Sequence, residues 1–221
     1  IYDSNNEMIH GYLDDYAFTI DAYCALYQCN FEQQWLDLAV KLTEYARAHF
    51  YDSAEELFFY TDKSAPSLIS RKKEIFDNVI PSSNSAMAHN LYLLGSLLET
   101  ESYLELSRSL LAKIASMIKT EPQYLTNWAT LYSFHTYPTI EIAIVGTDYR
   151  AYAHELQRNF IPNKVIAAGE RANNEPLLRN RTAIDGKTTI YVCFNKSCKL
   201  PVHSVNEALD QINNSISTIT Q

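Results

Sequence analysis

The sequence is short of glycine, of basic charge and of long apolar runs, and each shortage removes a class of function. Glycine occurs five times among 221 residues, against sixteen tyrosines and nine phenylalanines, which points to a helical, aromatic-rich interior. Lys and Arg together number 18 against 26 acidic residues, giving a formal net charge of −8 and a pI near 5.2. Without a basic stripe to neutralise phosphates, nucleic acid is not an expected partner. Apolar runs such as Ile140 to Gly146 stop far short of the roughly 20 residues that cross a bilayer, so no membrane partner is expected either. A G-x-G-x-x-G turn is missing, and Val145-Gly146-Thr147-Asp148 alone does not make a nucleotide site, so no cofactor is expected. The chain opens at Ile1 with no methionine and no signal peptide, as expected of a fragment or processed piece of a cytoplasmic protein.

Four cysteines are present. Cys24 and Cys29 sit in an apolar helical run and are expected as buried free thiols. Cys193 and Cys198 are separated by four intervening residues rather than two, so they do not match the short redox motif. With His203 they offer three zinc ligands without an evident fourth. A disulfide or redox pair and reduced structural thiols stay open beside that reading, and no metal site is assigned.

What the chain does have is 47% hydrophobic residues, enough for a sizeable core, and an internal repeat. Gly11-Tyr12-Leu13-Asp14-Asp15-Tyr16-Ala17-Phe18 and Pro81-Ser82-Ser83-Asn84-Ser85-Ala86 both put short polar side chains directly before an apolar helical run. Acceptors at such places cap the unsatisfied N–H groups of a first turn. A shift of 68 positions lays Asp14 on Ser82, Leu26 on Leu94, Trp35 on Tyr103, Leu36 on Leu104, Ala39 on Ser107 and Leu42 on Leu110. The match covers two helices and their turn, and stacked hairpins of this kind build solenoids or closed toroids. The two entrances then share one rim.

Hydrophobic periodicity predicts an inner helix from Asp15 to Cys29, apolar all round and hence buried. An outer helix follows from about Glu32 to Phe50, with its apolar stripe at Trp35, Leu38, Ala39, Leu42, Tyr45, Ala46 and Phe50. The excursion from Tyr51 to Ile80, with Leu57-Phe58-Phe59-Tyr60 and Leu68-Ile69, reads as a functional connection containing a small hairpin. A second inner helix (Asn84 to Leu98), a second outer helix (Tyr103 to Lys119) and a helix opened by Pro122 complete an all-helical part over residues 1–137. Over residues 138–221 the pattern becomes strand, helix, strand (Ile140 to Gly146, Asp148 to Phe160, Lys164 to Gly169), a βαβ unit with parallel strands. A polar loop, a strand over Thr188 to Phe194 and an amphipathic helix from Val205 to Ile219 follow.

Four segments in order carry a family resemblance: the Gly11 to Phe18 entrance, Lys73-Glu74-Ile75-Phe76-Asp77 through Ser85, Ile142 to Gly146 with Pro162-Asn163-Lys164-Val165, and Tyr191-Val192-Cys193-Phe194-Asn195-Lys196-Ser197-Cys198. Together they resemble the C-terminal portion of the thioredoxin-domain-containing proteins related to spermatogenesis-associated protein 20. The resemblance implies a parent about three times longer, with an N-terminal thioredoxin-like domain and an (α/α)6 toroid similar to N-acylglucosamine 2-epimerases. The expected fold is therefore mainly α, a partial (α/α)6 toroid of helical hairpins followed by a small α/β subdomain. A half toroid would expose apolar edge helices and invite self-association.

The resemblance also sets the functional expectation, a carbohydrate-binding or carbohydrate-processing module of the epimerase or glycosidase kind with its pocket at the helix-entrance rim. Asp14, Asp15, Glu74 and Asp77 are the acid and base candidates, since crowded carboxylates split their pKa values. Tyr16, Ser82, Asn84, Ser85 and His89 are the substrate-binding candidates. Beside each stands a structural alternative: helix caps for Asp14 and Asp15, a self-capping loop for the Ser and Asn cluster, and core packing for Tyr16 and His89. The rival function is a non-catalytic scaffold that docks the parent's thioredoxin-like domain for redox or partner recognition.

Overall fold

A computed structural model describes residues 10–66 and 70–219. Residues 1–9 of a loop that the polar run Asp3 to Asn6 predicts over Ile1 to His10, and the Leu68-Ile69 piece, lie outside the described residues. The protein is mainly α with a smaller α/β part. Its elements run α1 (Leu13–Asn30), α2 (Gln33–Phe50), β1 (Tyr51–Asp52), β2 (Leu57–Phe58), α3 (Ser83–Leu97), α4 (Glu101–Ile118), a 3-10 turn (Pro122–Tyr124), α5 (Thr126–Thr136), β3 (Ile140–Val145), α6 (Tyr149–Gln157), β4 (Lys164–Gly169), β5 (Thr189–Phe194), β6 (Ser197–Cys198) and α7 (Val205–Ile219). They fall into two compact units, one of residues 10–27, 32–95 and 101–133, the other of residues 28–31, 96–100 and 134–219.

In the first unit consecutive helices pair antiparallel. Tyr16 of α1 meets Tyr45 and Phe50 of α2, with ring centroids 5.2 Å apart in both cases, whereas Tyr23 further along α1 meets Trp35 at 5.6 Å. The second pair repeats this order, since Ser107 of α4 donates to the Ala88 carbonyl of α3 at 2.8 Å while Leu104 packs on Gly95. Gly95 is required there: a Cβ would stand 2.7 Å from the Leu104 Cγ and 3.1 Å from its backbone nitrogen. Between the pairs, the Asn90 amide of α3 donates to the Ala17 carbonyl of α1 at 2.7 Å, and Tyr103 of α4 donates to Glu44 of α2 at 2.6 Å.

The two outer helices, α2 and α4, are each 18 residues long, and their bounds differ by the repeat interval at both ends. Ala39 and Ser107, Thr43 and Leu111, and Ala46 and Ile114 occupy equivalent buried positions. The buried face of α2 runs through Leu36, Ala39, Thr43, Ala46 and Phe50, and Leu38 is exposed, a rotation of the expected stripe. Thr43, a polar residue by type, hid the true face from a count of apolar residues. Helix α3 is covered nearly all round, and its Asn90 and His89 side chains reach the main-chain carbonyls of Ala17 in α1 and Asn127 in α5. Helix α1 leaves Asp21, Ala22, Ala25 and Leu26 exposed, contrary to the expectation of full burial.

Pro122 opens a separate 3-10 turn rather than α5. Helix α5 starts later, where the Asp77 carboxylate accepts the Asn127 N–H at 2.9 Å.

The second unit is built on a four-stranded sheet of order β4-β3-β5-β6. Strands β3 and β4 are parallel around α6, with Ile142 opposite Ile166, and β5 adds antiparallel to β3. Ile142, Ile144, Ile166, Ile190 and Val192 form one core with Ala153 and Leu156 of α6 and Ala208 and Ile212 of α7. Each large aliphatic side chain so buried contributes on the order of 1.5–3 kcal/mol. Gly146 ends β3 at φ +143°, and a Cβ there would lie 2.5 Å from the Thr188 Cα, so no other residue fits the exit toward α6. The β5–β6 turn holds Asn195 and Lys196 at φ 48° and 67°, the positive pair a tight hairpin demands.

Candidate functional site at the first helix entrance

Three backbone segments converge where α1 begins. The Leu13 N–H donates to the Tyr60 carbonyl at 2.9 Å, and the Tyr60 N–H donates to the Lys72 carbonyl at 2.7 Å. This ties residues 11–15 to the segment following β2 and to the stretch carrying Glu74. Asp15 caps the helix, its Oδ2 accepting the Tyr12 N–H at 2.8 Å from three residues back, the reciprocal half of a capping box. Asp14 turns the other way: Oδ2 accepts the Tyr60 hydroxyl at 3.1 Å and Oδ1 accepts the Asp15 N–H at 3.1 Å. The Tyr12 ring stacks on Tyr60 with centroids 4.8 Å apart and planes 11° from parallel, and Tyr12 keeps half its surface exposed.

Electrostatics couple these groups. Partial burial raises the Glu74 carboxyl above its ordinary pKa, and the like charge of Asp14 adds to the rise. Burial, with the Asp14 charge and hydrogen bond, pushes the Tyr60 phenol up to about 12. Asp14, Glu74 and Tyr60 therefore form one interacting set beside an exposed aromatic face. Such a set can take a polyol through its hydroxyls and apolar ring face, and offers in Glu74 a carboxyl raised toward its protonated form.

The remaining sequence-level candidates are engaged in building the frame. Asp77 is buried, with Oδ1 accepting from the Ser82 N–H and the Ser85 hydroxyl, each at 2.9 Å. Ser82 caps α3, accepting the Ser85 N–H at 3.3 Å and donating to the Ile75 carbonyl at 3.1 Å. Asn84 is fully buried and mimics a neighbouring strand: it accepts from the Phe58 N–H at 2.7 Å and donates to the carbonyls of Phe58 and Glu74, each at 2.9 Å. That last bond sets the backbone of Glu74, so the Ser and Asn cluster reaches the first entrance through the main chain. Tyr16 stacks on Tyr45, which itself stacks on His49 at 4.0 Å.

His89 lies deeper, its Nε2 2.8 Å from the Asn127 carbonyl oxygen. A carbonyl only accepts, so the proton sits on Nε2. Burial lowers the His89 pKa, and loss of water around the carboxyl raises that of Asp21 on α1 although the residue keeps an exposed side, the two being close enough to sense each other's charge. Tyr12, Tyr60 and Asp21 were missed by sequence reasoning. Tyr12 stood inside the quoted entrance and Tyr60 inside the aromatic piece after β1, but no periodicity joins residues 46 positions apart such as Asp14 and Tyr60.

Elsewhere in this unit a surface cleft of about 550 Å³ is lined by Phe76, Asp77, Asn78, Met117, Glu121 and Tyr124. In the second unit Cys193 and Cys198 form a disulfide. Cys24 is a buried free thiol as expected, whereas Cys29 is free but exposed, contrary to the expectation of burial. Among the described residues no cluster of His, Cys, Asp and Glu is placed to hold a metal ion, and no helix is long and apolar enough to cross a membrane.

Comparison with known proteins adds a relationship to this geometry. The chain is homologous to spermatogenesis-associated protein 20. It is 27% identical to the protein of Rattus norvegicus over 211 residues, covering 90% of this chain and 27% of that protein, and 27% identical to that of Homo sapiens over 209 residues. An uncharacterised protein of Caenorhabditis elegans is 23% identical over 218 residues, 96% of this chain and 30% of that protein. The chain thus spans a little over a quarter of the length of the curated relatives it matches. No protein-family model matches it.

Proposed function

We propose that the first helix entrance is a carbohydrate site, with Glu74 as proton donor, Asp14 as proton acceptor and the Tyr12–Tyr60 pair as the face on which a sugar ring stacks. The observation that carries this reading is the coupling of Glu74 to Asp14, with the Tyr60 hydroxyl held on the same Asp14 carboxylate at 3.1 Å. Two carboxyls, one of them lifted by burial and by the charge of the other, suit transfer of a proton on and off a sugar carbon or glycosidic oxygen. Asp15, Asp77, Ser82, Asn84 and Ser85 hold the frame, and Asp21 with His89 forms a second acid–imidazole pair further along α1.

In this proposal the antiparallel pairs α1–α2 and α3–α4 are neighbouring hairpins of an (α/α)6 toroid. Their matching bounds and their like internal order support it. A thioredoxin-like domain of a longer parent is the proposed neighbour of this portion. Thermal-shift screening of mono- and disaccharides tests the proposal, with Asp14→Asn and Glu74→Gln as controls. A sugar that stabilises the native chain and neither control supports the site, and stabilisation retained in both removes it.

A further inference from the structure

The second unit carries a separate chemical feature that does not rest on the carbohydrate reading. Glu141 of β3, Cys193 of β5 and Cys198 of β6 stand opposite one another in register across the sheet, a single row on one face. Cys193 is fully buried and Cys198 is exposed. The Arg181 guanidinium lies against both sulfurs, its Nη2 3.2 Å from the Cys193 Sγ and 3.6 Å from the Cys198 Sγ. That guanidinium is fixed from three sides: it donates to the Leu177 carbonyl, it sits over the Tyr191 ring at 5.9 Å, and it faces the charge of Glu141.

A half-buried cation held at both sulfurs serves a disulfide that opens, because it stabilises the thiolate that leaves. We propose that the Cys193–Cys198 hairpin is a thiol–disulfide exchange site for a dithiol reductant, with Cys198 the attacked sulfur and Cys193 the leaving one. Only Cys198 is open to an incoming thiolate. Attack there forms a bond from the reductant's sulfur to Cys198 and breaks the Cys193–Cys198 bond, whose electron pair moves to Cys193. The new thiolate appears where Arg181 makes its shorter contact, and a leaving thiolate so stabilised departs faster. The reductant's second thiol, having given its proton to solvent, then attacks the mixed disulfide and releases Cys198, which takes a proton from water. Two electrons pass to the hairpin, and the reductant leaves as its own disulfide.

The test uses the full chain with Cys29→Ser, oxidised and then treated with dithiothreitol under native conditions. Timed samples are quenched by alkylation and counted by mass spectrometry. The native hairpin opens within minutes without denaturant, Arg181→Gln slows the opening about tenfold, and Arg181→Lys restores part of the rate. A circular dichroism spectrum confirms that each variant is folded. In a second arm oxidised glutathione caps Cys198 in Cys193→Ser, and leaves Cys193 free in Cys198→Ser. Both cysteines alkylated before any reductant is added, opening only in denaturant, or an Arg181→Gln rate equal to the native one overturns the proposal, as does capping of Cys193 in the second arm.

Discussion

Asp77 holds the first residues of two helices at once, one carboxylate oxygen on the Ser82 N–H before α3 and the other on the Asn127 N–H of α5, both at 2.9 Å. Loss of that side chain frees buried donors at both starts. Asp77→Ala is expected to lower unfolding free energy by about 3 kcal/mol, a loss read from denaturant midpoints. Asp77→Asn keeps one acceptor and loses less.

Acid stability follows from Asp62, which is buried beside α2. Burial pushes its carboxyl up, but hydrogen bonds from Ser64, Tyr45 and His49 outweigh burial and hold it well below the usual carboxylate range. A carboxyl depressed in the fold stabilises it above the unfolded pKa of about 3.9, and that stability drains away as pH falls below this value. Asp62→Asn lowers stability at neutral pH and flattens the decline between about pH 4 and pH 2, as followed by thermal melts across that range.

The two free cysteines differ sharply. Burial, with the charge of Asp21, pushes the Cys24 thiol up to about 12, while Cys29 is exposed. Iodoacetamide applied to the native chain at mildly alkaline pH labels Cys29 and spares Cys24 until denaturant is added. Prompt labelling of Cys24 contradicts the packing of α1.

Much of the fold is legible in the sequence because two periods dominate it. The 68-residue interval pairs α2 with α4, whose ends the apolar pattern alone puts one or two residues away at Glu32, Tyr103 and Lys119, and the β-branched runs locate β3, β4 and β5. Legibility fails where tertiary partners decide. The α2 face includes Thr43 and excludes Leu38 because burial there depends on what packs against the helix, and Asp77 rather than Pro122 sets the start of α5. The same holds at the site: Asp14 and Glu74 are readable as acidic residues near helix entrances, but their link through Tyr60 arises only from the backbone pairing of Leu13, Tyr60 and Lys72. The pairing of Cys193 with Cys198 was one open alternative, and the tight turn through Asn195 and Lys196 brings the sulfurs together.

Coupling between carboxyls is open to direct titration. An NMR titration of Glu74 finds its pKa above the ordinary glutamate value, because of burial and the Asp14 charge. Asp14→Asn removes the second cause and brings the pKa down, while burial keeps part of the rise.

The central claim is that a sugar binds at the start of α1. Mapping amide NMR shifts of the labelled chain against the sugar that gives the largest thermal shift tests it most directly. The account predicts perturbations gathered on Gly11 to Asp15, Tyr60 and Glu74, lost in Asp14→Asn. Perturbations confined to the cleft of Phe76, Met117 and Tyr124, or absent at saturating sugar, contradict it.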